Sequence, residues 1–327
     1  MSVTIKYCPG TLKEGFSNYS PLALKKMFGG RKVSPLLPYK SPANNSIAEE
    51  LFKENQKRIS ISGVQEKFSV VLDKNKLRLI AEAEQGQYIL KPIPNVGKKR
   101  SQMPANEHLT MQIASQVFTI ETADNALVFF KDGTPAYLTK RFDVTGNGSK
   151  LAQEDFASLA QRTPQTHGSD FKYLGNYFEI FELLKKYVPA YKVEAIKLFK
   201  LIVFNYLMSN GDAHFKNFSL IETPLGDFKL SPAYDLLNSR IHIEDKDFAL
   251  IDGLLPLNRT KGKVTEQFYT LAELTGLSKK QVDKLFIDIT AKQEQVLSLI
   301  DASYLDEKTK REYAQAYQTR LNKLKRK

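Results

Sequence analysis

The apolar pattern of this sequence changes near residue 145, and that change constrains the fold more than any other feature. Between residues 68 and 142, short runs of alternating apolar and polar residues are typical of β-strands, apart from one helical stretch at about 105–117. After the turn-forming segment DVTGNGSK (143–150), apolar residues recur every three or four positions, which is typical of helices. We therefore predict an α+β chain with a small β-rich N-terminal lobe and a larger α-helical C-terminal lobe.

Each half divides into shorter segments. Strands are predicted in FSVVLD, KLRLIAEA, QYILKPIP, ALVFF and AYLTKRF, with a hairpin turn at residues 73–76. Helices are predicted in LAQEDFASLA, YFEIFELLKKYV, VEAIKLFKLIVFNYLMS, VTEQFYTLAELTG and LSKKQVDKLFIDITAKQEQVLSLI, with Thr265 and Ser278 as N-caps of the last two. The first fifty residues are rich in proline and glycine, with short helices in PLALKKMF and IAEELFKENQ. We divide the chain into an N-terminal extension (1–50), an N-lobe (51–139) and a C-lobe (140–327).

The composition excludes several classes of protein. Cys8 is the single cysteine, so no intramolecular disulfide can form, and a reducing compartment is favoured. No run approaches the roughly 18 consecutive apolar residues of a membrane span. The first ten residues lack the basic and apolar regions of a signal peptide, so a cytoplasmic location is expected. The P-loop, dinucleotide-binding and nucleophile-elbow motifs are absent, and the four histidines show no zinc-binding spacing.

Positive charge is concentrated at the C-terminus. The formal net charge is +12, and residues 308–327 contain eight lysines and arginines against one acidic residue, Glu312. One interpretation is a solvated, fraying C-terminal helix. The other is a patch for nucleic acid or an acidic partner, because clustered positive charge attracts phosphate without sequence specificity.

The segment NYLMSNGDAHFKNFSL (205–220) carries the strongest chemical signal. An apolar helix is followed by crowded polar residues and then by a second apolar run. Asp212 and Asn217 have the D-x-x-x-x-N spacing of a protein-kinase catalytic loop, in which the aspartate receives the proton of the acceptor hydroxyl and the asparagine binds a metal ion. The alternative is a helix C-cap followed by an ordinary polar turn.

A second acidic residue follows in SPAYDLLNS. Asp235 lies eighteen residues after Asn217, and magnesium prefers such hard oxygen ligands. The alternative is that Asp235 caps a helix beginning at Leu236.

Two residues of the first half complete the pattern. Lys91 ends the predicted strand QYILKPIP, and Glu107 lies on the next helix. A kinase fold requires a strand lysine that reaches the nucleotide phosphates and pairs with a helix glutamate. The alternatives are a solvent-facing lysine and a glutamate favoured by the helix dipole.

The stretch RISISGVQEK (58–67) precedes the first predicted strand. Its segment from Ser60 to Gly63 has three interpretations: a phosphate-cradling loop, a phosphorylation target or an ordinary turn. Ser60 and Ser62 point in opposite directions along an extended chain, so we expect one to face the nucleotide and the other to be more exposed.

These motifs, in this order, resemble those of the HipA-like serine/threonine kinases, the toxins of bacterial toxin–antitoxin systems. The resemblance is carried by SISGVQEK, YILKPIP, NEHL, AYLTKRFD, LAQEDFA, NGDAHFKNFSL and SPAYDLL, from about Ser60 to the end of the helical half. It implies a two-lobed protein-kinase-like fold that uses ATP and Mg²⁺.

The resemblance also implies roles for individual residues. Asp212 would be catalytic, Asn217 and Asp235 would bind the metal, and Ser60 and Ser62 would be autophosphorylation sites. The expected nucleotide-binding residues are Ser62, Gly63, Val64, Lys67, Lys91, Glu107, Lys140, Phe142, His214 and Lys216.

The chain is similar to the short HipT form of the family, because the first fifty residues are too few for the N-terminal subdomain of longer members. The resemblance implies antitoxin partners, namely a small HipS-like subdomain protein and a helix-turn-helix HipB-like protein that would carry the contact with DNA. An aminoacyl-tRNA synthetase is the implied target, and growth arrest the implied output. The alternatives are a basic nucleic-acid-binding or assembly module with vestigial kinase residues, and a small-molecule kinase of the same fold.

Overall fold

The alternating runs of the first half form one five-stranded antiparallel sheet. The structure, a computed structural model, describes residues 4–42, 66–95, 97–244 and 246–325. The strands of this sheet are β1 (Phe68–Asp73), β2 (Lys76–Leu79), β3 (Tyr88–Lys91), β4 (Asn125–Phe129) and β5 (Pro135–Lys140). Their order in the sheet is β2-β1-β3-β5-β4. The five predicted strands are therefore confirmed. The predicted helix IAEELFKENQ and the serine loop, including Ser60, Ser62, Gly63 and Val64, lie outside the described residues.

The predicted hairpin joins β1 and β2. Asp73 pairs with Lys76, which leaves Lys74 and Asn75 as a two-residue turn. Lys74 has a φ of +53°, as tight turns that match the right-handed twist of the strands require.

One helix closes the core of this sheet. The helix α1 (Pro21–Phe28) begins at the N-cap Ser20, whose side chain accepts from the Ala23 amide, and ends at Gly29 with a φ of +61°. It buries Met27 and Phe28 in the same apolar cluster as side chains of β1, β3, β4 and β5. The predicted helix PLALKKMF is confirmed. A second helix, α2 (Met103–Gln112), contacts β4 and β5 and continues as a π-helical turn at Ile113–Val117.

The chain divides into two compact units, and the first is not continuous in sequence. It comprises Met1–Gln112, Ala123–Ser149 and Ser298–Lys310. The last of these ranges contacts the sheet, because the Tyr304 ring lies 5.6 Å from the Phe129 ring and the Tyr304 hydroxyl donates to the Tyr7 carbonyl. The predicted boundaries at residues 50 and 140 remain a prediction.

The second unit comprises Ile113–Thr122, Lys150–Leu297 and Arg311–Lys327. It holds most of the helices and a small antiparallel sheet of three strands, β6 (Gln153–Asp155), β7 (Ser219–Glu222) and β8 (Phe228–Leu230). Their order in the sheet is β6-β7-β8. The helices that follow α2 along the chain are α3 (Phe156–Leu159), α4 (Pro164–His167), α5 (Tyr177–Tyr187), α6 (Tyr191–Leu207), α7 (Val264–Leu274), α8 (Lys279–Ala291), α9 (Gln293–Asp301) and α10 (Glu307–Lys325). Among the described residues, no helix is both long and apolar enough to cross a membrane.

The prediction of a helix throughout LAQEDFASLA is wrong. Residues 153–155 form β6, and only Phe156–Leu159 is helical. The cause is Asp155, whose carboxylate accepts from the Ser158 amide as an N-cap. Aspartate favours this cap position over a helix interior.

The C-terminal helices also differ in detail from the prediction. Lys263 rather than Thr265 precedes α7, because the Thr265 side chain is buried within the helix. Ser278 does cap α8, and the side chains predicted to face inward are buried, namely Val282, Leu285, Phe286 and Ile289. The predicted single helix ends at Ala291, and α9 begins at Gln293.

The interpretation of the C-terminus as a solvated helix is wrong for one face of α10. Tyr313, Tyr317 and Leu321 recur every four residues and are all fully buried. Arg320 on the same face is also buried.

Candidate active site

In the first unit, Lys91 and Glu107 form a buried ion pair. Lys91 is the last residue of β3 and Glu107 lies on α2. The Lys91 Nζ lies 2.6 Å from the Glu107 Oε1, and the two side chains are only 5% and 4% exposed. The Lys91 ammonium also lies 5.3 Å from the centre of the Tyr137 ring, so a cation–π attraction adds to the ion pair. The alternative of a solvent-facing lysine is therefore wrong.

The other predicted nucleotide residues of this unit lie at strand ends. Lys67 immediately precedes β1 and is partly buried. Lys140 ends β5, and its ammonium donates to the Lys26 carbonyl at 3.3 Å. Phe142 follows β5 after Arg141 and is partly buried. The nucleotide-binding roles of these residues remain predictions.

In the second unit, a strained turn leads into the predicted catalytic loop. The helix α6 ends at Leu207, and Ser209 then adopts a φ of +55°. The Gly211 amide donates to the Ser239 Oγ at 2.8 Å, and this hydroxyl donates to the Ser209 carbonyl at 3.1 Å. One serine side chain therefore connects both sides of the turn immediately before Asp212.

The predicted metal ligands lie next to each other in this unit. The Asn217 Nδ2 is 3.5 Å from the Asp235 Oδ2, and the Asn217 Oδ1 accepts from the His214 amide at 3.1 Å. Both side chains are partly exposed. Asp235 has a φ of +56°, a conformation that costs a non-glycine residue about 1–3 kcal/mol and is found mainly at functional sites. No helix begins at Leu236 in residues 231–238, all of which the structure describes, so the helix-cap alternative for Asp235 is wrong.

Tyr173 contacts the predicted catalytic aspartate and was not predicted from the sequence. Its hydroxyl donates to the Asp212 Oδ1 at 2.7 Å. Its ring packs edge-on against the His214 ring, with 5.0 Å between the centroids. Burial, together with the charge of Lys172, lowers the pKa of His214 from 6.5 to about 3. His214 is therefore neutral at physiological pH, and its ring orders the contact between Tyr173 and Asp212.

Lys216 is fixed by a second residue that was not predicted. Its ammonium lies 2.7 Å from the Asp155 Oδ2, while the other carboxylate oxygen of Asp155 caps α3. The Tyr234 hydroxyl donates to the Lys216 carbonyl at 2.9 Å. These contacts orient the lysine beside the catalytic loop.

The donors of the second unit fit a magnesium ion that is bound together with a nucleotide. The described part of the chain contains no group of three or more His, Cys, Asp or Glu residues arranged to hold a metal. A nucleotide-dependent site does not need such a group, because magnesium keeps water and phosphate oxygens among its ligands. Asn217 and Asp235 offer the two oxygen-bearing side chains of such a site, side by side.

Comparison with known proteins agrees with this geometry. The model of the HipA-like C-terminal domain matches residues 59–297. The chain belongs to this HipA-like family. The family assignment made from the motifs is thereby confirmed.

Relatives by sequence carry kinase names. A Haemophilus influenzae protein named "Putative kinase" is 25% identical over 89% of this chain and 88% of its own length. A Sinorhizobium fredii protein, named "Putative kinase Y4dM", is 32% identical over 80% of this chain and 63% of its own length.

Two solved structures share the fold. Shewanella oneidensis HipA, in a complex with HipB and operator DNA, aligns over 82% of this chain and 65% of its own chain, with a TM-score of 0.59 and 20% identity. CtkA, described as a proinflammatory kinase of Helicobacter pylori, aligns over 78% of this chain and 92% of its own, with a TM-score of 0.52 and 14% identity. The HipA-like chain therefore has a protein-kinase-like fold with a β-rich lobe and a helical lobe.

Proposed function

We propose that this HipA-like chain is an ATP-dependent protein serine/threonine kinase and the toxin of a bacterial toxin–antitoxin system. The proposal rests on the predicted catalytic loop of the second unit. Asp212 lies five residues before Asn217, and the Asn217 side chain lies next to that of Asp235. The buried Lys91–Glu107 pair of the first unit supports it independently.

Each residue has a defined part in this proposal. ATP bound with Mg²⁺ supplies the phosphoryl group. Asp212 receives the proton of the acceptor hydroxyl, and Asn217 and Asp235 hold the metal. Lys91 binds nucleotide phosphate, and Glu107 keeps its ammonium oriented. Lys67, Lys140 and Phe142 of the first unit are proposed nucleotide-binding residues, as are His214 and Lys216 of the second.

The regulatory part of the proposal concerns the serine loop outside the described residues. Ser62, Gly63 and Val64 are proposed to contact nucleotide phosphate, and Ser60 and Ser62 to accept phosphate in autophosphorylation. A phosphoserine carries a charge of about −1.5 to −2, which would compete with bound nucleotide.

The proposed partners are proteins. The HipB found with Shewanella HipA supports a HipB-like helix-turn-helix antitoxin, which would carry the contact with DNA. A HipS-like subdomain protein is the second proposed partner. An aminoacyl-tRNA synthetase in the cytoplasm is the proposed target, and its phosphorylation would arrest growth. The alternative of a basic nucleic-acid module is weakened by α10, because Arg320 is buried and the Lys310 and Lys323 ammonium groups pair with Glu307 and Asp247.

The test compares the parent chain with Asp212→Asn. Purified proteins are incubated with γ-labelled ATP and a cytosolic extract, labelled proteins are identified by mass spectrometry, and growth is followed after induction. We expect Asp212→Asn to lose labelling and toxicity. The control is Asp288→Asn, which removes a carboxylate paired with Lys292 on the surface of α8 and should behave like the parent. Parental labelling by Asp212→Asn would overturn the proposed reaction.

A further inference from the structure

Arg320 is a buried cation in the basic C-terminal segment, of which the structure describes residues 308–325. Its side chain is 1% exposed, whereas the Lys323 side chain on the same helix is 47% exposed. Burial of a guanidinium is costly unless charge and hydrogen-bond partners replace its water. The partners of Arg320 therefore indicate what its burial serves.

Three different partners surround the guanidinium. It stacks over the Tyr206 ring, with the Cζ 4.6 Å from the ring centroid, and its Nη1 pairs with the Asp247 carboxylate. Its Nε lies 3.4 Å from the Ser209 Oγ. Tyr206 lies at the end of α6 and Ser209 in the turn that follows, so two of the three partners adjoin the predicted catalytic loop.

The third of these contacts reaches the strained residue of that turn. Ser209 has a φ of +55°, so its conformation needs support from the surrounding structure. Arg320 contacts its side chain and Ser239 binds its carbonyl, while the same Ser239 hydroxyl accepts from the Gly211 amide. The next residue is Asp212. A continuous series of contacts therefore connects α10 to the backbone immediately before the predicted catalytic residue.

We propose that Arg320 is a positioning residue for phosphoryl transfer. It holds Ser209 in its left-handed conformation, which fixes the turn up to Gly211 and so keeps the Asp212 carboxylate in register for the acceptor hydroxyl. This inference rests on the proposed kinase function, and it gives the C-terminal helix a role in the reaction that does not involve nucleic acid.

The experiment compares kcat and the KM for ATP in Arg320→Met and Arg320→Lys. A displacement of about 1 Å can cost a factor of about 100 in rate, so we expect kcat of Arg320→Met to fall about 10- to 100-fold. The KM for ATP should change less than about threefold, because the residues that hold the metal follow the turn and are bound by other contacts. Arg320→Lys keeps the charge but loses the planar fork, so it should restore kcat only in part.

Two controls separate positioning from simple stability. Ile289→Ala removes a buried side chain from α8 and should lower Tm while kcat per folded molecule stays unchanged. Lys323→Met removes the exposed partner of Asp247 and should keep kcat within about twofold of the parent. A kcat of folded Arg320→Met within twofold of the parent would overturn the inference.

A third comparison applies if Arg320→Met does not fold. Ser209→Ala removes the hydroxyl that Arg320 contacts. The double variant Ser209→Ala, Arg320→Lys should lose little more kcat than Arg320→Lys alone, because both changes act through one contact. Independent, fully additive losses would overturn the inference.

Failure of the proposed function gives a different result. In that case Asp212→Asn matches the parent in labelling, and hydrogen exchange of residues 206–214 becomes the deciding measurement. Faster exchange of this segment in Arg320→Met or Arg320→Lys, but not in Lys323→Met, supports the positioning role. Unchanged exchange rejects it.

Discussion

The Lys91–Glu107 pair of the first unit and the Asp212, Asn217 and Asp235 side chains of the second unit differ in how completely the fold encloses them. The pair is almost entirely buried and joined at 2.6 Å. The three side chains of the second unit are partly exposed, and Asp235 holds a strained backbone conformation. We therefore expect stability and the proposed chemistry to depend on the same atoms in the first unit, and the second unit to lose its proposed chemistry while it keeps its fold.

The largest effect is expected from breaking the buried pair. Glu107→Gln leaves the Lys91 ammonium buried without its carboxylate, which should lower the free energy of unfolding by about 3–5 kcal/mol. Urea unfolding measures this loss. The double variant Lys91→Met, Glu107→Leu removes both charges and should regain most of the stability but no kinase activity. If Glu107→Gln lowers the free energy of unfolding by less than about 1 kcal/mol, the first unit does not depend on its buried pair for stability.

Asp235→Asn tests the second unit, where we expect activity to be lost and stability to be kept. Removing the charge of this proposed metal ligand should lower kcat about 100- to 1,000-fold, as loss of a major electrostatic contact does. Because asparagine tolerates a positive φ well, Tm should stay equal to that of the parent or rise. Magnesium titration of kinase activity and thermal unfolding measure the two quantities. A large fall in Tm would show that the second unit, like the first, needs its site residues for folding.

His108 in the first unit and His214 in the second, both buried, predict an acid-sensitive fold. Burial is the main cause that lowers the pKa of both His108 and His214 from 6.5 to about 3. The unfolded chain therefore binds protons that the folded chain does not, so stability is full above pH 6.5 and falls as the pH drops towards 3. At pH 5 each histidine should cost about 2 kcal/mol relative to pH 7.

The measurement is urea unfolding of the parent, His108→Gln and His214→Gln at pH 7 and pH 5. In each variant, the fall in the free energy of unfolding between pH 7 and pH 5 should be about 2 kcal/mol smaller than in the parent. If the two units unfold separately, His108→Gln should change only the transition of the first unit. A parent whose stability is equal at both pH values would contradict the prediction.

The smallest expected effect concerns Tyr173. Tyr173→Phe removes the hydroxyl that donates to Asp212, and a hydrogen bond to a charged group contributes about 1.5–3 kcal/mol. Because water can replace part of this hydrogen bond at the partly exposed Asp212, and the His214 ring still supports the phenyl group, we expect kcat to fall about tenfold with only a small fall in Tm. Tyr187→Phe on α5 is the matched control. A rise in kcat would mean that the Tyr173 hydroxyl competes with the acceptor hydroxyl.

The sequence predicted those parts of the molecule that depend on neighbouring residues. Alternation located the strands, and the two-residue turn at Lys74 and Asn75 set the register of the hairpin. Lys91 and Glu107 could be paired because a kinase fold requires a strand lysine and a glutamate on the next helix. The spacing from Asp212 to Asn217 was visible because both residues lie in one short segment, although the roles of these residues stay predictions.

Contacts between distant residues carried no such signal. Tyr173 lies 39 residues before Asp212, Asp155 lies 61 before Lys216, and Arg320 lies 111 after Ser209. The helical period of Tyr313 and Tyr317 places Arg320 on the buried face of α10, but it does not identify partners that lie far away in the sequence. The break between α8 and α9 was missed because neither glycine nor proline marks it.

The discontinuous first unit has a consequence for synthesis on the ribosome. Residues 298–310 belong to that unit, and Tyr304 covers Phe129 of the sheet. About 300 residues must therefore leave the ribosome before this unit can close, which takes roughly 15–60 s at about 5–20 residues per second. A chain interrupted before residue 298 would lack Tyr304 and leave the Phe129 ring without this aromatic contact, so the first unit is complete only after residues 298–310 have been synthesised.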